Sequence, residues 1–280
     1  MRLAYSTLAC PKWTWWQAIT EAGRLGYDGI EWRLVDGEFI TADLPVELAA
    51  EIGKATADHG LGVPALDSSI SLSVAPGPER DRTIAATRQL LRLARALGAE
   101  HLRVFPGTYP ESVADATAME WVTDMLEELR PAARDTGVAI ALELHDSFDW
   151  NRAAARGTTC SSFVAEVLRG QSMPEVGVQW DVGNPYLEGE SAADTWRTIA
   201  PWFRYMQLKD MVRGADGRWT YTPVGEGQLP LRDILDYIGG ARFDGWVSFE
   251  WEKKWHPELA EPAEVLPDFV HYMAGYRTAR

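Results

Sequence analysis

Short runs of apolar residues alternate along this chain with longer amphipathic stretches. Runs rich in Val, Ile, Leu and aromatic residues indicate buried strands, whereas apolar residues at helical spacing indicate helices that pack on a sheet. Strands that alternate with helices are typical of a parallel sheet. Eight strands are predicted, at approximately Arg2–Ser6, Gly29–Trp32, Gly62–Leu66, His101–Phe105, Ala139–Glu143, Gly177–Asp181, Tyr205–Lys209 and Trp246–Glu250.

Two of the intervening helices have the clearest patterns. One is predicted from Arg80 to Leu97, where apolar residues keep helical spacing and Gly98 supplies the stop. A second is predicted over about 114–134, with a break or kink near Arg130 because Pro131 removes a helix hydrogen bond. Eight such units without a Gly-, Pro- or Ser-rich linker predict a single (β/α)8 TIM barrel spanning residues 1–280 as one domain, rather than an open doubly wound sheet.

Four polar residues lie where the last four predicted strands end, namely Glu143, Asp181, Gln207 and Glu250. In TIM barrels the carboxyl ends of the strands carry the chemistry. An unpaired charge in an apolar setting costs several kcal/mol, so these residues are expected to share a partner. Three carboxylates and an amide oxygen form a hard ligand set, which suits Mn²⁺ or Mg²⁺ better than Zn²⁺. The pattern therefore predicts one divalent metal ion and an enzyme.

Composition limits the possible partners. The net charge of −14 argues against binding a nucleic-acid backbone, although it leaves room for a small phosphorylated substrate. Two cysteines are too few for a disulfide scaffold or a thiolate metal site. The N-terminus lacks the apolar core of a signal peptide, and no apolar run approaches the length that spans a membrane. We expect a cytoplasmic protein with no membrane partner.

The segments LELH, QWDVGN, QLKD and SFEWE, in that order at the ends of the fifth to eighth strands, resemble the xylose isomerase-like TIM-barrel superfamily of sugar isomerases and epimerases. GIEWR, LRVFPG and GEGQLP also look like recurrent segments of that family. The resemblance implies that Glu143, Asp181, Gln207 and Glu250 bind one divalent metal ion, with Mn²⁺ favoured and Mg²⁺ or Co²⁺ as alternatives. It also implies that the two glutamates exchange protons with a small keto-sugar, sugar acid or sugar phosphate.

The chain departs from many relatives at two positions. Gln207 stands where many relatives carry His, whereas the hydroxypyruvate isomerase branch resembles this chain in using Gln. An amide oxygen can still ligate a hard cation. Asn184 stands where epimerases of the tagatose and psicose type carry His. The second difference disfavours an epimerase of free ketoses.

Isomerising a hydroxy-ketone requires a base that removes a proton next to the carbonyl, together with stabilisation of the enediolate oxygens. Glu143 and Glu250 supply a base and an acid for this reaction. Isomerisation and epimerisation both remain open, as does a lyase of the inosose dehydratase type that uses the same metal and glutamate pair. A noncatalytic sugar-binding barrel is a further alternative. An endonuclease IV-like repair enzyme is disfavoured, because the chain has only five histidines and is strongly acidic.

Further candidates for substrate contact lie on or near the same strand ends: His145, Lys209, Arg103 and Trp13. Alternation of side chains along a strand places His145 on the face of Glu143 and Lys209 on the face of Gln207. Each candidate also has a structural interpretation. The histidine can lie in the core or at the surface, the arginine can pair at the barrel rim, and the tryptophan can pack in the core or at an interface.

Two residues and one segment each have more than one interpretation. Lys209 can instead pair with Asp210 or Glu226. Glu252 shares a strand face with Glu250, and the family pattern favours Glu250 as the ligand. The aromatic segment FVHYMAGY can pack on the barrel or on a second subunit, which leaves a homo-oligomer open.

Overall fold

Eight parallel strands form a barrel in the computed structural model, which describes residues 1–145 and 157–276. Each strand forms a ladder with its neighbours in the chain, except between the second and the third, and the last strand pairs with the first. Two isolated bridges, Gly29–Gly62 and Trp32–Leu66, connect the second strand to the third. The strands are β1 (Arg2–Ser6), β2 (Gly29–Glu31), β3 (Val63–Ser71), β4 (Ala99–Phe105), β5 (Ala139–Glu143), β6 (Val176–Asp181), β7 (Phe203–Leu208) and β8 (Trp246–Phe249).

Helices follow the strands and cover the outside of the barrel, which confirms the predicted (β/α)8 fold. Two short antiparallel hairpins follow β2 and β7; they pair 34–35 with 38–39 and 210–213 with 219–222. Within the described part of the chain, every helix is too short or too polar to cross a membrane. The helices are α1 (Trp15–Leu25), α2 (Val46–Asp58), α3 (Pro78–Leu97), α4 (Asp115–Thr136), α5 (Cys160–Leu168), α6 (Gly183–Leu187), α7 (Ala192–Ile199), α8 (Leu231–Tyr237) and α9 (Pro262–Tyr272).

The predicted break near Arg130 is wrong, and the alternative of a kink stays a prediction. The helix continues through Pro131 to Thr136 and ends at Gly137, whose φ of 70° is left-handed. Proline removes only one backbone hydrogen bond at this position. Buried Leu129 and Ala133 lie on either side of Pro131 and hold the helix against the core. Packing therefore outweighs the local cost of the proline.

Aromatic rings fill the amino-terminal end of the barrel. The ring of Trp246 lies over Gly29 and Gly62, and a Cβ added at either glycine would lie 2.7 Å from it. Tyr205 and small alanines complete this layer. Because this end is closed by apolar packing, space for a ligand lies at the carboxyl ends of the strands.

Candidate active site

The four residues predicted as metal ligands all lie at the carboxyl end of the barrel. Glu143 and Asp181 end β5 and β6, Gln207 lies near the end of β7, and Glu250 directly follows β8. The register pairs Asp181 with Gln207, and Gln207 with Ser248, so the strand ends are level with one another. All four side chains are buried, although each is polar. Their burial shows that the polar strand ends face the barrel interior and not solvent.

Lys209 forms ion pairs with two of these four side chains. Its Nζ lies 2.7 Å from Oδ2 of Asp181 and 2.7 Å from Oε2 of Glu250. Oε1 of Glu252 is further away, at 3.5 Å, and that side chain is partly exposed. Lys209 itself is buried, so its charge is neutralised by carboxylates of the site. The lysine thus joins two of the predicted ligands.

Asp210, the alternative partner of Lys209, has a different role. Its carboxylate accepts hydrogen bonds from the backbone N–H groups of Gly225, Gly227 and Leu229. A Cβ added at Gly227 would lie 2.0 Å from Oδ1 of Asp210, so only glycine fits there. The GEGQLP segment is therefore folded around the Asp210 carboxylate, which explains why the aspartate follows the lysine in QLKD.

Arg103 lies inside the barrel and not at its rim. Its Nε lies 3.0 Å from Oε2 of Glu143 and 3.6 Å from Oδ1 of Asp67, and its Nη1 donates to the Ser68 carbonyl at 2.8 Å. The guanidinium carbon is 4.3 Å from the centre of the Phe105 ring. These contacts fix the arginine against Glu143.

Two further buried carboxyl groups, those of Glu31 and Asp67, contact residues of the same strands and were not predicted as site residues. Glu31 accepts hydrogen bonds from the hydroxyl groups of Tyr205 and Ser248. Asp67 accepts a hydrogen bond from Nε2 of Gln207 at 3.4 Å. Both acidic residues are fully buried. The sequence pattern that predicted the other carboxylates is present here too, because Glu31 and Asp67 each follow a short apolar run.

Negative charge exceeds positive charge in the barrel interior. Burial raises the pKa of Glu31, of Asp67 and of Glu143, and Arg103 opposes part of the rise at the last two. If every group is ionised, the five carboxylates outnumber the three cations by two charges. The carboxyl groups are Glu31, Asp67, Glu143, Asp181 and Glu250, and the buried cations are Arg33, Arg103 and Lys209.

The environments of the two candidate proton-transfer residues differ. Burial raises the pKa of Glu143 well above its usual value. Burial acts on Glu250 as well, but the Lys209 ammonium outweighs it and holds the pKa of Glu250 below its usual value. Burial raises the pKa of Asp181 to about 7, against the opposing effect of Lys209. Two carboxyl groups whose pKa values are pushed apart are suited to acid and base roles.

The donor types and the charge of the site fit a divalent cation. Among the described residues, Oε1 of Gln207 is a buried acceptor without a hydrogen-bond donor, whereas Oε2 of Glu143 lies 3.0 Å from Nε of Arg103. A cation satisfies an oxygen such as that of Gln207 and reduces the excess of carboxylates over cations. However, within residues 1–145 and 157–276 no three His, Cys, Asp or Glu side chains are arranged as a metal cluster. Because Lys209 lies between Asp181 and Glu250, a bound metal ion would displace its ammonium group.

A cavity of about 620 Å³ opens above these residues. Glu143 and Glu250 line it, together with Arg103 and His145 of the predicted substrate contacts. The structure places Trp13 elsewhere, half-buried against the core. The tryptophan that lines the cavity is Trp255, whose ring is stacked on Phe39. The cavity is large enough for a small carbohydrate.

Asn184, where some relatives carry His, contributes to the structure of the rim. Its Nδ2 donates to the carbonyl oxygen of Leu144 at 2.8 Å, and the side chain is buried. The hydrogen bond connects the start of α6 to the end of β5. Asn184 thereby positions the segment that carries Glu143.

Comparison with known proteins agrees with the TIM-barrel fold. The family described as xylose isomerase-like TIM barrel matches residues 19–269. A putative hydroxypyruvate isomerase of Streptomyces coelicolor is 26% identical over 207 residues, which cover 73% of this chain and 69% of that protein. A C-glycoside deglycosidase alpha subunit of Microbacterium trichothecenolyticum is 28% identical over 116 residues, or 41% of this chain. The match spans only 29% of that relative's length.

Solved structures share the fold over almost the whole chain. The IolI protein, crystallised with a zinc atom, has a TM-score of 0.80 and 18% identity, and both chains are covered completely. The apo form of YcjR, a 3-keto-D-glucoside 4-epimerase from E. coli, has a TM-score of 0.72 and 15% identity over 98% of this chain and 99% of that one. At these identities the likeness establishes the TIM-barrel fold.

Proposed function

The chain belongs to the xylose isomerase-like TIM-barrel family, and on that premise we propose that it is a divalent-metal-dependent isomerase or epimerase of a small keto-sugar, sugar acid or sugar phosphate. The observation that carries the proposal is the buried arrangement of Glu143, Asp181, Gln207 and Glu250 under an open cavity. The similarity to a putative hydroxypyruvate isomerase supports the same reaction class.

Glu143 and Glu250 are proposed as the proton-transfer residues. Glu250 faces the cavity and is ionised beside Lys209 in the metal-free protein, and a divalent ion in place of the ammonium would also favour the ionised form. It is therefore suited to remove a proton from the carbon next to a carbonyl. Glu143 lines the same cavity and is suited to exchange a proton with the neighbouring carbon or oxygen. Arg103 orients the Glu143 carboxyl group through its 3.0 Å contact.

Glu143, Asp181, Gln207 and Glu250 are also proposed to hold one divalent metal ion, with Mn²⁺ favoured and Mg²⁺ or Co²⁺ as alternatives. When bound, such an ion supplies a positive charge that stabilises the developing enediolate oxygens. The acceptor oxygen of Gln207, which lacks a donor among the described residues, supports this assignment. The zinc atom in the IolI structure shows that a relative of the same fold holds a metal ion.

Barrel residues position the substrate in this scheme. Because Glu143 and Glu250 line one cavity, a small substrate can contact both at once. His145 lines the same cavity, with its ring packed against Phe105 at 4.7 Å, and is suited to hydrogen-bond a substrate hydroxyl. Burial of the strand ends excludes bulk water from the carboxyl groups.

The proposal is tested by solvent exchange. Mn²⁺-loaded protein is incubated in D₂O with a panel of ketoses, keto acids, inososes and their phosphates, and carbon-bound deuterium is measured by NMR. We expect deuterium at the carbon next to the carbonyl of at least one compound, and the product distinguishes isomerisation, epimerisation and dehydration. A metal-bound protein that exchanges no compound of the panel contradicts the isomerase proposal and favours the noncatalytic sugar-binding alternative.

A further inference from the structure

Arg33 is a buried cation whose role the proposed chemistry does not explain. It follows β2, and only 6% of its surface is exposed. Its Nη1 donates to the carbonyl oxygen of Asp67 at 3.2 Å, and its Nη2 donates to Oγ of Ser69 at 2.7 Å. The ring of Phe39 lies 4.6 Å from the guanidinium carbon. All of these partners are neutral groups, so none of them forms an ion pair with the arginine.

The lack of an ion pair separates Arg33 from the other two buried cations of the site. Arg103 lies 3.0 Å from a Glu143 oxygen, and Lys209 lies 2.7 Å from two carboxylates. Across residues 1–145 and 157–276, no carboxylate oxygen lies within 4.0 Å of an Arg33 nitrogen. Asp67, Glu143 and Glu250 act on Arg33 from beyond this distance, so its charge is compensated less directly than those of Arg103 and Lys209. An anionic ligand in direct contact would therefore stabilise the buried guanidinium.

The electrostatic environment agrees with the geometry. Burial and the neighbouring Arg103 together lower the pKa of Arg33 to about 10, although Asp67, Glu143 and Glu250 oppose the shift. Burial acts on Arg103 as well, but Glu143 and Asp67 outweigh it and raise the pKa of that residue. An anion beside Arg33 would have the effect on Arg33 that Glu143 has on Arg103.

Arg33 also lines the cavity of the candidate active site. Arg33 lines the cavity of about 620 Å³ that contains Glu143 and Glu250, and the hydroxyl residues Ser69 and Ser71 line the same wall. A guanidinium group has five N–H donors, and the described contacts use two of them. The remaining donors can form the planar, paired hydrogen bonds that a carboxylate accepts.

We propose that Arg33 binds a carboxylate group of the substrate, so that the substrate is a keto acid or sugar acid and not a neutral sugar. The inference rests on the proposed function, because it assigns a substrate class to the same cavity. A carboxylate is favoured over a phosphate because it brings only one negative charge to a single guanidinium group that has no ion pair. A phosphate dianion would bring a second negative charge into a cavity that already contains Glu143 and Glu250.

Binding of matched compounds tests the assignment. Isothermal titration calorimetry is carried out with dihydroxyacetone, hydroxypyruvate and dihydroxyacetone phosphate, and with the six-carbon series D-fructose, 2-keto-D-gluconate and D-fructose 1-phosphate. Within each series, the keto group stays constant while one end is a hydroxymethyl group, a carboxylate or a phosphate ester. We expect Mn²⁺-loaded wild-type protein to bind the carboxylate of at least one series at least about tenfold more tightly than the neutral compound.

Three variants show whether Arg33 causes this preference. Arg33→Gln is expected to remove the preference while leaving the affinity for the neutral compound within about threefold of wild type. Arg33→Lys keeps the charge but not the paired geometry, so an intermediate preference is expected. Arg213→Gln removes an arginine outside this cavity and is expected to behave as wild type. Circular dichroism confirms folding, and if Arg33→Gln does not fold, Arg33→Lys and Ser69→Ala provide the comparison.

The results that would contradict the role of Arg33, the substrate class and the isomerase proposal differ from one another. An Arg33→Gln protein that keeps the carboxylate preference overturns the role of Arg33, and wild-type protein without any carboxylate preference overturns the substrate class. A preference for the phosphate ester that depends on Arg33 replaces the carboxylate with a phosphate. Because calorimetry measures binding, carboxylate binding through Arg33 without deuterium exchange would refute the isomerase proposal and retain the role of Arg33.

Discussion

The ammonium group of Lys209 lies 2.7 Å from the Glu250 carboxylate and is buried with it, so the two charges neutralise each other inside the barrel. The same ammonium lies 2.7 Å from Asp181. The lysine therefore stands between two carboxylates that we propose as metal ligands. In the protein without metal, Lys209 supplies the positive charge that this carboxylate pair needs.

Replacing Lys209 by Met is predicted to destabilise the metal-free protein and to strengthen its response to metal. Removing one partner of a buried ion pair costs about 3–5 kcal/mol, because the remaining carboxylates are left without a cation. Thermal denaturation with and without Mn²⁺ measures the effect. We expect a lower Tm for Lys209→Met without metal and a larger rise on adding Mn²⁺ than in wild type. An equal or smaller rise in the variant would show that lysine and metal do not compete.

Replacing Gln207 by His is predicted to change metal preference. Imidazole nitrogen is a ligand that Zn²⁺ favours, whereas the amide oxygen suits harder cations. Equilibrium dialysis against Zn²⁺ and Mn²⁺ is the measurement, and the ratio of Kd values is expected to move toward Zn²⁺ by roughly tenfold. Asn184→His, which alters a buried side chain bound to the Leu144 carbonyl, is the comparison at a neighbouring position. An unchanged ratio in Gln207→His would contradict the assignment of Gln207 as a ligand.

Replacing Gly227 by Ala is predicted to disrupt the loop held by Asp210. The added Cβ would lie 2.0 Å from the Asp210 carboxylate, which accepts hydrogen bonds from three backbone N–H groups of this segment. Chemical denaturation is expected to show a loss of about 1–3 kcal/mol in the free energy of unfolding. The control is Gly23→Ala in α1, where the new Cβ would meet no atom within 4 Å outside the local helix backbone and alanine favours the helix. Equal free energies of unfolding for the two variants would show that the loop accommodates the added methyl group without loss of stability.

Much of the barrel can be predicted from hydrophobic patterning, because buried strands form nearly continuous apolar runs. The predicted bounds of the strands at 2–6 and 139–143 match the structure. The third strand extends to Ser71, beyond its predicted end, because polar residues such as Asp67 continue the pairing inside the barrel. Local rules were also insufficient at Pro131, where tertiary packing keeps α4 helical.

The candidate site could be predicted less completely. The strand-end rule identified Glu143 and Glu250, and the same rule applied to the second and third strands would have identified Glu31 and Asp67. Which cation pairs with which carboxylate depends on distances between strands, so the position of Lys209 required the structure. Loops decide which aromatic residue reaches the cavity, and sequence distance from a strand does not determine this.

The central claim is that Glu143 and Glu250 transfer protons, and deuterium incorporation by single variants tests it most directly. Using the compound that wild-type protein exchanges fastest, NMR measures the exchange rate of Glu143→Gln, Glu250→Gln and the control Glu252→Gln. Loss of a general acid or base lowers a rate by about 10²–10⁴-fold. We expect losses of this size in the first two proteins, with folding retained, and a rate near wild type in the third. Wild-type rates in Glu143→Gln or Glu250→Gln would contradict the proposed mechanism.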